Sequence, residues 1–524
     1  MNDFHVYDTT LRDGMQQEGL SPSVDDKLVI AGLLDELGVG FIEGGWPGAI
    51  PKDTEFFARA RDELVLRHAT LAAFGSSRRP DTAAADDPQV RALVEAGTDV
   101  VTLVCKFHEG HVLRALRTTA EENLAMIADT VAYLRSHGTR VFVDAEHFFD
   151  GYLLNPDYAR RATAAASDAG AEVVVLCDTN GGMLPEQTAR VVTAIAGETD
   201  VQLGVHCHND TGCAVANTLA AVGAGVTHVQ GTLNGYGERT GNADLLTVVA
   251  NLELKLGRRV LPEGRLADAF RVAHAVAEVT NVPPHSRMPY VGAGAFTHKA
   301  GLHASAIKVD PDLYQHTDPA NVGNDMRLLV SDMAGRASVE LKGRELGYAE
   351  LDREVIGAVT ERVKEMEAQG YTFEAADASF ELLLLQEAGQ RPAFFEVDRW
   401  EVGTESRSKA SAVSTARIHA RVDGQELSGS SQGNGPVNAL DQALREVLAA
   451  VYPQVAKIDL TDYRVRIMES GHGTDAVIRV LVRMSDSEGS WTTVGVSGNI
   501  VEASWEALAD GVTYGLHRVR RSGR

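Results

Sequence analysis

The feature that most restricts this chain is a recurrence. Over its first 250 residues, eight β-rich runs alternate with amphipathic segments in units of roughly 30 residues. The runs are Phe4–Thr10, Val39–Gly44, Ala69–Gly75, Val100–Lys106, Arg140–Glu146, Glu172–Asp178, Gln202–His208 and Thr227–Leu233. Between the first two, Asp25 to Leu34 carries apolar residues at helical spacing ahead of a stop at Gly38. Eight strand-then-helix units predict an α/β architecture, a closed (β/α)₈ TIM barrel. An open doubly wound sheet is the rival, but no dinucleotide fingerprint accompanies the units.

In such a barrel, chemistry sits where strands end and the following loops begin. Polar residues collect at those ends: Asp8, Arg12 and Asp13 after the first run, Glu43 after the second, Lys106 after the fourth. Asp144, Glu146 and His147 close the fifth, Asp178 and Thr179 the sixth, His206 and His208 the seventh. One shared site explains this alignment better than scatter does. His206 and His208 alternate along a strand, so both imidazoles point to one face. With Asp13 and Asn242 they make a nitrogen and oxygen set suited to a divalent cation (Mn²⁺, Mg²⁺, Co²⁺ or Zn²⁺) that keeps positions open for substrate. A plain polar strand end is the alternative for His-x-His alone. Arg12 reads both as a partner of Glu43 and as a guanidinium aimed at a metal-held oxygen. Glu146 reads as a general base or as a carboxylate paired with Lys106.

Charge narrows the partners. Lys and Arg number 49 against 73 Asp and Glu, a net −24, which argues against nucleic acid and against an anionic membrane surface. At ~150 residues per domain, 524 residues imply about three and a half domains. The opening Met1-Asn2-Asp3-Phe4-His5 lacks the pattern of a secretory signal, and no apolar run reaches the ~18–20 residues of a membrane span. Cys105, Cys177, Cys207 and Cys213 show no pairing framework, so reduced thiols in a cytoplasmic protein are expected. The basic end from Arg518 to Arg524 reads as a solvated tail.

Three separated motifs, in order, carry a resemblance over essentially the whole chain. They are Asp8-Thr9-Thr10-Leu11-Arg12-Asp13-Gly14-Met15-Gln16, His206-Cys207-His208-Asn209-Asp210, and Gly235-Tyr236-Gly237-Glu238-Arg239-Thr240-Gly241-Asn242. Together they resemble the DRE-TIM metallolyases, and among these the acyl-CoA-condensing synthases that make 2-isopropylmalate, homocitrate and (R)-citramalate. The runs from Ile42 to Gly48 and from Asp144 to Tyr152 are similar to the (R)-citramalate branch. The resemblance implies an acyltransferase that condenses acetyl-CoA with a 2-oxo acid, pyruvate in that branch, and then hydrolyses the thioester, in isoleucine biosynthesis. It implies Asp13, His206, His208 and Asn242 as metal ligands, and Arg12, Gln16, Asp144 and Thr179 as contacts to the oxo acid. Glu146 would deprotonate the acetyl-CoA methyl, aided by His303 in Ala300-Gly301-Leu302-His303-Ala304 and by Tyr314 in Asp312-Leu313-Tyr314. His303 and Tyr314 would come from the partner subunit of a homodimer. Citramalate synthases of another branch carry an aromatic residue two positions before the glutamate. Asp144 stands there here, so an acid joins the expected pocket wall.

The remainder of the chain changes character. Residues 1–270 are expected as the catalytic barrel, 271–374 as a helical and loop linker completing the partner's site, and 375–524 as an α+β regulatory domain. The linker is mostly helical, as in Ala337–Glu367, with a loop-rich stretch over Val282–Asp325. Beyond it, strands are expected at Phe380–Leu385, Phe394–Val402, Ser411–Val422, Arg464–Met468, Ala476–Met484 and Trp491–Val496. Val437, Ala439, Ala443 and Leu444 are echoed 64 residues later by Val501, Ala503, Ala507 and Leu508. Gly433-Asn434 and Gly498-Asn499 precede the two sets, 65 residues apart. That is an internal duplication of a strands-then-helix unit, and two like units packed together make a natural small-ligand or dimer site. The resemblance implies feedback by a branched-chain amino acid there, isoleucine if citramalate is the product; a dimerisation module without an effector is the plainer reading.

Three rivals frame the function. A synthase for 2-isopropylmalate or homocitrate differs only in the oxo acid. A lyase resembling 3-hydroxy-3-methylglutaryl-CoA lyase would run the reverse cleavage, but that group uses a cysteine in the glycine-rich loop where Tyr236, Glu238, Arg239 and Thr240 stand here. A non-catalytic amino-acid-binding regulator on a dead barrel is opposed by the joint presence of Arg12, Asp13, Glu146, His206, His208 and Asn242.

Overall fold

The computed structural model describes residues 4–348, 350–406, 411–468 and 476–522. Met1 to Asp3 of the opening segment and Gly523-Arg524 of the basic end lie outside them. The chain divides into two compact units, Met1–Phe296 with Thr317–Asp325, and Thr297–His316 with Met326–Arg524.

In the first unit, eight parallel strands close into a barrel in sequence order. They are β1 (His5–Asp8), β2 (Phe41–Gly45), β3 (Thr70–Ser76), β4 (Val100–Lys106), β5 (Arg140–Glu146), β6 (Val173–Asp178), β7 (Gln202–Cys207) and β8 (His228–Gly231). β1 closes the ring on β8, with His5 opposite His228 and Asp8 opposite Gly231. All eight expected runs are strands, trimmed where a loop begins early. The first stops at Asp8 because the Thr9 carbonyl accepts from the amides of Arg12, Asp13 and Gly14, which curls the chain away from the sheet.

Two apolar layers hold the barrel. Tyr7, Phe41, Phe142, Val173 and Val175 fill its interior, while residues such as Ile30, Leu34, Phe56, Ile127 and Val192 pack the helices onto its outside. The helix Val24–Leu37 shows how local chemistry sets the joints. Ser23 and Asp26 form a reciprocal capping box at its start, and Gly38 at φ 91° ends it. No helix among the described residues is long and apolar enough to cross a membrane.

The second unit begins with two short paired strands, β9 (Thr297–His298) and β10 (Arg327–Leu328). The stretch expected as helical over Ala337–Glu367 is two helices, Arg336–Glu345 and Arg353–Ala368, with Gly347 at φ 92° after the first. The strand expected at Phe380–Leu385 is a helix, Asp377–Glu387, and that expectation is corrected here. Every residue from Ala378 to Leu385 is buried. A helix covered on all sides has no apolar stripe, so its sequence carries no 3.6-residue period to distinguish it from a buried strand.

Two like modules follow. β11 (Phe395–Glu405), β12 (Val413–Val422) and β13 (Gln425–Gly433) form an antiparallel sheet backed by the helix Pro436–Ala449. β14 (Asp459–Ile467), β15 (Ile478–Asp486) and β16 (Gly489–Ser497) form a second, backed by the helix Ile500–Arg521. The duplicated positions occupy equivalent places: Ala439, Ala443 and Leu444, and Ala503, Ala507 and Leu508, are all fully buried in one shared core. The basic end is not a solvated tail through Arg521. It is the last turn of the second helix, where Arg518 lies over the Trp491 ring at 4.9 Å and Arg521 donates to Glu381 at 2.7 Å.

Candidate active site

The site is built on the loop after β1. The curl at Thr9 turns Arg12 and Asp13 into the barrel mouth. Asp8 stays behind as a brace: it accepts from the Thr10 amide at 2.8 Å and hydroxyl at 3.0 Å, and burial pushes its carboxyl up to about 7. On β7 and just beyond it, His206 Nε2 lies 3.1 Å and His208 Nε2 3.7 Å from Asp13 Oδ2. Asp13, His206 and His208 each offer a ligand atom within 4.8 Å of the others, the one such group among the described residues.

Electrostatics keep Asp13 ionised and His208 neutral. Burial alone would raise the Asp13 carboxyl, but Arg12 at 3.4 Å and the two imidazoles hold it far below the usual carboxylate range. Burial, with His206 alongside, lowers His208 to about 4, so its ring is neutral at pH 7. His206 Nδ1 meets Gln230 Oε1 at 2.8 Å, while Gln230 Nε2 donates to Asp144 at 3.0 Å. The amide oxygen therefore accepts from Nδ1–H, while Nε2 faces Asp13; burial alone would lower the His206 imidazole, but its hydrogen bond to Asp13 and the charge there raise it above its usual value.

The residues fit a cation. Asp13 Oδ1, His208 Nδ1 and Asn242 Oδ1 are buried without a hydrogen-bond partner, and an unmet buried group costs ~1–3 kcal/mol. Asn242 pairs with His208 in a short bridge, and its Nδ2 donates to the Tyr236 carbonyl at 3.0 Å, which leaves its oxygen free. Two imidazoles, a carboxylate and an amide oxygen suit a borderline or hard divalent ion. Gly237 makes room for this arrangement: at φ 147°, any Cβ there would run into Asn242 Nδ2.

Arg12 is held by three carboxylates and a ring. Its Nε donates to Glu43 at 2.5 Å, its Nη2 stands 3.9 Å from Asp144, and its guanidinium lies 3.8 Å over Phe74. Glu43 is fully buried and also accepts from Tyr7 at 2.7 Å and from Thr9. Burial, then Glu43, raises Asp144 above the usual carboxylate range. Glu146, at the end of β5, is paired with Lys106 of β4, and both are about one-quarter exposed. Thr179 Oγ1 accepts from the His147 amide at 2.8 Å.

These groups line one cavity of about 490 Å³. Arg12, Asp13, Gln16, Asp144, Glu146, Thr179, His206 and His208 all face it, joined by Trp46 and Phe74, whose rings meet edge to face at 5.3 Å. His303 and Tyr314 belong to the second unit, with ring centroids 4.1 Å apart. Sequence reasoning missed Gln230, Trp46 and Phe74. Strand alternation through His228, Gln230 and Thr232, all fully buried, could have exposed Gln230 as inward-facing.

Comparison with known proteins matches this architecture piece by piece. Residues 3–276 match the HMGL-like family, 290–371 the homocitrate synthase post-HMGL domain-like family, and 374–516 the LeuA allosteric (dimerisation) domain. The chain is 61% identical to the (R)-citramalate synthase of Streptomyces coelicolor, over 98% of this chain and 97% of that one. It is 49% identical to the (R)-citramalate synthase of a Synechocystis strain (98% and 96% covered) and 46% identical to that of Aquifex aeolicus (99% and 99%). Identities of this size across whole chains leave little room for a different assignment: the chain belongs to the acyl-CoA-condensing synthases built on an HMGL-like barrel, in the (R)-citramalate synthase branch.

Proposed function

We propose that the barrel mouth condenses acetyl-CoA with pyruvate and hydrolyses the thioester to give (R)-citramalate and CoA. The observation that carries this is the convergence of Asp13, His206 and His208 with the Arg12 guanidinium beside them, in a cavity whose rim holds Glu146. Asp13, His206, His208 and Asn242 would hold a divalent cation, which would supply Lewis acidity to the keto oxygen. Arg12, with Gln16, Asp144 and Thr179, orients the oxo acid, and the guanidinium stabilises negative charge as it develops on that oxygen. Glu146 takes a proton from the acetyl methyl, a step worth about 10²–10⁴-fold in rate. His303 and Tyr314, supplied by the second subunit of a homodimer, close over the thioester. Residues 1–270 carry the chemistry, 271–374 complete the neighbouring site, and 375–524 regulate it.

A thiol-release assay over pyruvate, 2-oxobutanoate, 2-oxoisovalerate and 2-oxoglutarate, with and without chelator, tests this reading. Pyruvate is expected to give the highest kcat/KM, and chelation is expected to abolish turnover until Mn²⁺, Mg²⁺, Co²⁺ or Zn²⁺ is restored. Preference for 2-oxoisovalerate would move the assignment to 2-isopropylmalate synthesis. For the duplicated C-terminal module, isoleucine is the expected effector. Calorimetric titration is expected to show heat with isoleucine and lowered turnover, and silence with isoleucine, leucine and valine alike would leave the module a purely structural role.

A further inference from the structure

The mechanism above leaves Lys106 idle, although it stands beside the proposed base. It closes β4 directly opposite Glu146, which closes the parallel neighbour β5. Side chains alternate along a strand, so Val104 and Lys106 point the same way as Asp144 and Glu146, and all four face the cavity. Lys106 Nζ donates to Glu146 Oε2. The backbone beneath this pair is fixed. Asn123, fully buried, donates its Nδ2 to the Lys106 carbonyl at 2.9 Å and to the Tyr158 hydroxyl at 2.7 Å. The next amide, of Phe107, donates to the Glu146 carbonyl at 3.2 Å.

The pairing of the other cations sets Lys106 apart. Arg78, Arg79 and Arg239 also face the cavity, but they pair with Glu122 and Asp129, with Asp87 and with Asp210 in turn. None of those carboxylates lines it. Arg12 is shared among Glu43, Asp13 and Asp144. Among the described residues, Lys106 is the cation paired with the carboxylate that takes the methyl proton. Burial, then His147, His108 and Lys106, hold His111 below its usual value against the pull of Glu146, so that ring adds no competing positive charge near pH 7.

We propose that Lys106 is a catalytic residue whose ammonium group binds the thioester oxygen of acetyl-CoA and stabilises the enolate formed as Glu146 removes a methyl proton. The proposal rests on the reading of Glu146 as the base. The thioester oxygen is two bonds from the methyl carbon that Glu146 must reach, so a donor touching Glu146 also reaches that oxygen. A thioester α-proton is weakly acidic, and a fixed donor placed where the charge develops is the effective remedy. Charge is conserved within the site. The methyl C–H bond breaks, its proton passes to a Glu146 carboxylate oxygen, and its electron pair spreads to the thioester oxygen. The Glu146–Lys106 ion pair becomes a neutral acid and an ammonium–enolate pair. Attack on the keto carbon returns the electron pair to carbon as the new C–C bond and re-forms the thioester carbonyl. The proton on Glu146 then balances the one that the former keto oxygen takes up.

The test uses the full-length enzyme with its metal. Lys106→Met, which keeps the stem and removes the charge, is expected to lower kcat about 10²–10³-fold, the loss on removing one preorganised donor to a developing oxyanion. KM for pyruvate and Mn²⁺ affinity are expected to change little. Proton removal limits the rate of this variant, so trideuterated acetyl-CoA is expected to show a full primary isotope effect on kcat, which a merely misshapen pocket would not produce. Ethylammonium, which replaces the missing end of the side chain, is expected to restore turnover in proportion to its concentration. Tetramethylammonium has no N–H to donate and is expected to restore none. Lys106→Gln, a neutral donor, guards against a folding defect and is expected to fall between Lys106→Met and the wild type. Wild-type turnover in both variants, or a slowed variant without an isotope effect, overturns the proposal. Glu146→Gln separates the two claims: if it retains activity, the base assignment fails, whereas a dead Glu146→Gln beside a fully active Lys106→Met removes the role of Lys106 alone.

Discussion

His206→Ala is expected to lose turnover by ~10³-fold or more, about 4 kcal/mol of barrier, the scale on which a Lewis acid stabilises developing charge. The loss should appear together with loss of metal. Titration calorimetry with Mn²⁺ or Co²⁺ on chelator-stripped protein is expected to give a saturating isotherm for the wild type and none for the variant. Gln230→Leu provides the graded control. Gln230 is not among the residues proposed to hold the ion. It holds the His206 tautomer through a 2.8 Å contact and ties that ring to Asp144. Its removal is expected to weaken metal affinity about 10–100-fold, the usual cost of losing an outer partner of a histidine ligand. High metal concentration should then restore most of its activity, as it cannot in His206→Ala. Equal metal affinity in wild type and His206→Ala would remove the cation from this cluster.

The barrel was legible because strands end in turns or polar residues and helices such as Val24–Leu37 bury residues at helical spacing. The candidate metal cluster was legible for a related reason: His206 and His208 declare their shared face by alternation, and strand ends in a closed barrel meet at one mouth. What escaped depends on distance in the chain. Gln230 is defined by Asp144, 86 residues away and across the barrel, and Phe74 gains its role only when Arg12 lies on its face. No local pattern holds either pairing. His303 and Tyr314 entered through resemblance alone, since nothing in the local sequence distinguishes the part-buried His303 or the exposed Tyr314 from their neighbours.

The second unit shows two different failures. Asp377–Glu387 is buried all round, so its composition says apolar and its period says nothing. β13 failed for the opposite reason, because Gln425–Gly433 is rich in serine and glycine and lacks the β-branched residues that mark a strand. It pairs with β12 along its whole length, from Val422 opposite Gln425 to Ser414 opposite Gly433. The missed signal was the two-residue loop Asp423-Gly424, with φ of 47° and 76°, which is the chemistry of a tight hairpin turn. A strand poor in propensity can be specified by its turn and its partner.

Arg12→Lys is the substitution that best tests how the mouth is held together. The guanidinium does four things at once. Its Nε bonds Glu43, its two amino groups reach Asp13 at 3.4 Å and Asp144 at 3.9 Å, and its plane lies on Phe74. A lysine ammonium is a compact charge without a planar fork, and from this backbone position it can serve one of these carboxylates closely but not all three. Glu43 would keep its hydroxyl partners and lose its cation while fully buried, and leaving a buried charge unpaired costs ~3–5 kcal/mol. Asp144, already raised by burial and by Glu43, would gain protons further as the guanidinium withdraws. The variant is therefore expected to melt well below the wild type. Its kcat with pyruvate is expected to fall ~10²–10³-fold, the loss seen when one preorganised donor to a developing oxyanion is removed. KM for acetyl-CoA should move little, because the proposed partner of Arg12 is the oxo acid and not the thioester. Differential scanning calorimetry with steady-state kinetics on the same preparation checks both halves. A variant that keeps more than about a tenth of wild-type kcat, a barrier change below ~1.4 kcal/mol, would show that positive charge alone suffices and that the fork geometry of Arg12 does not matter.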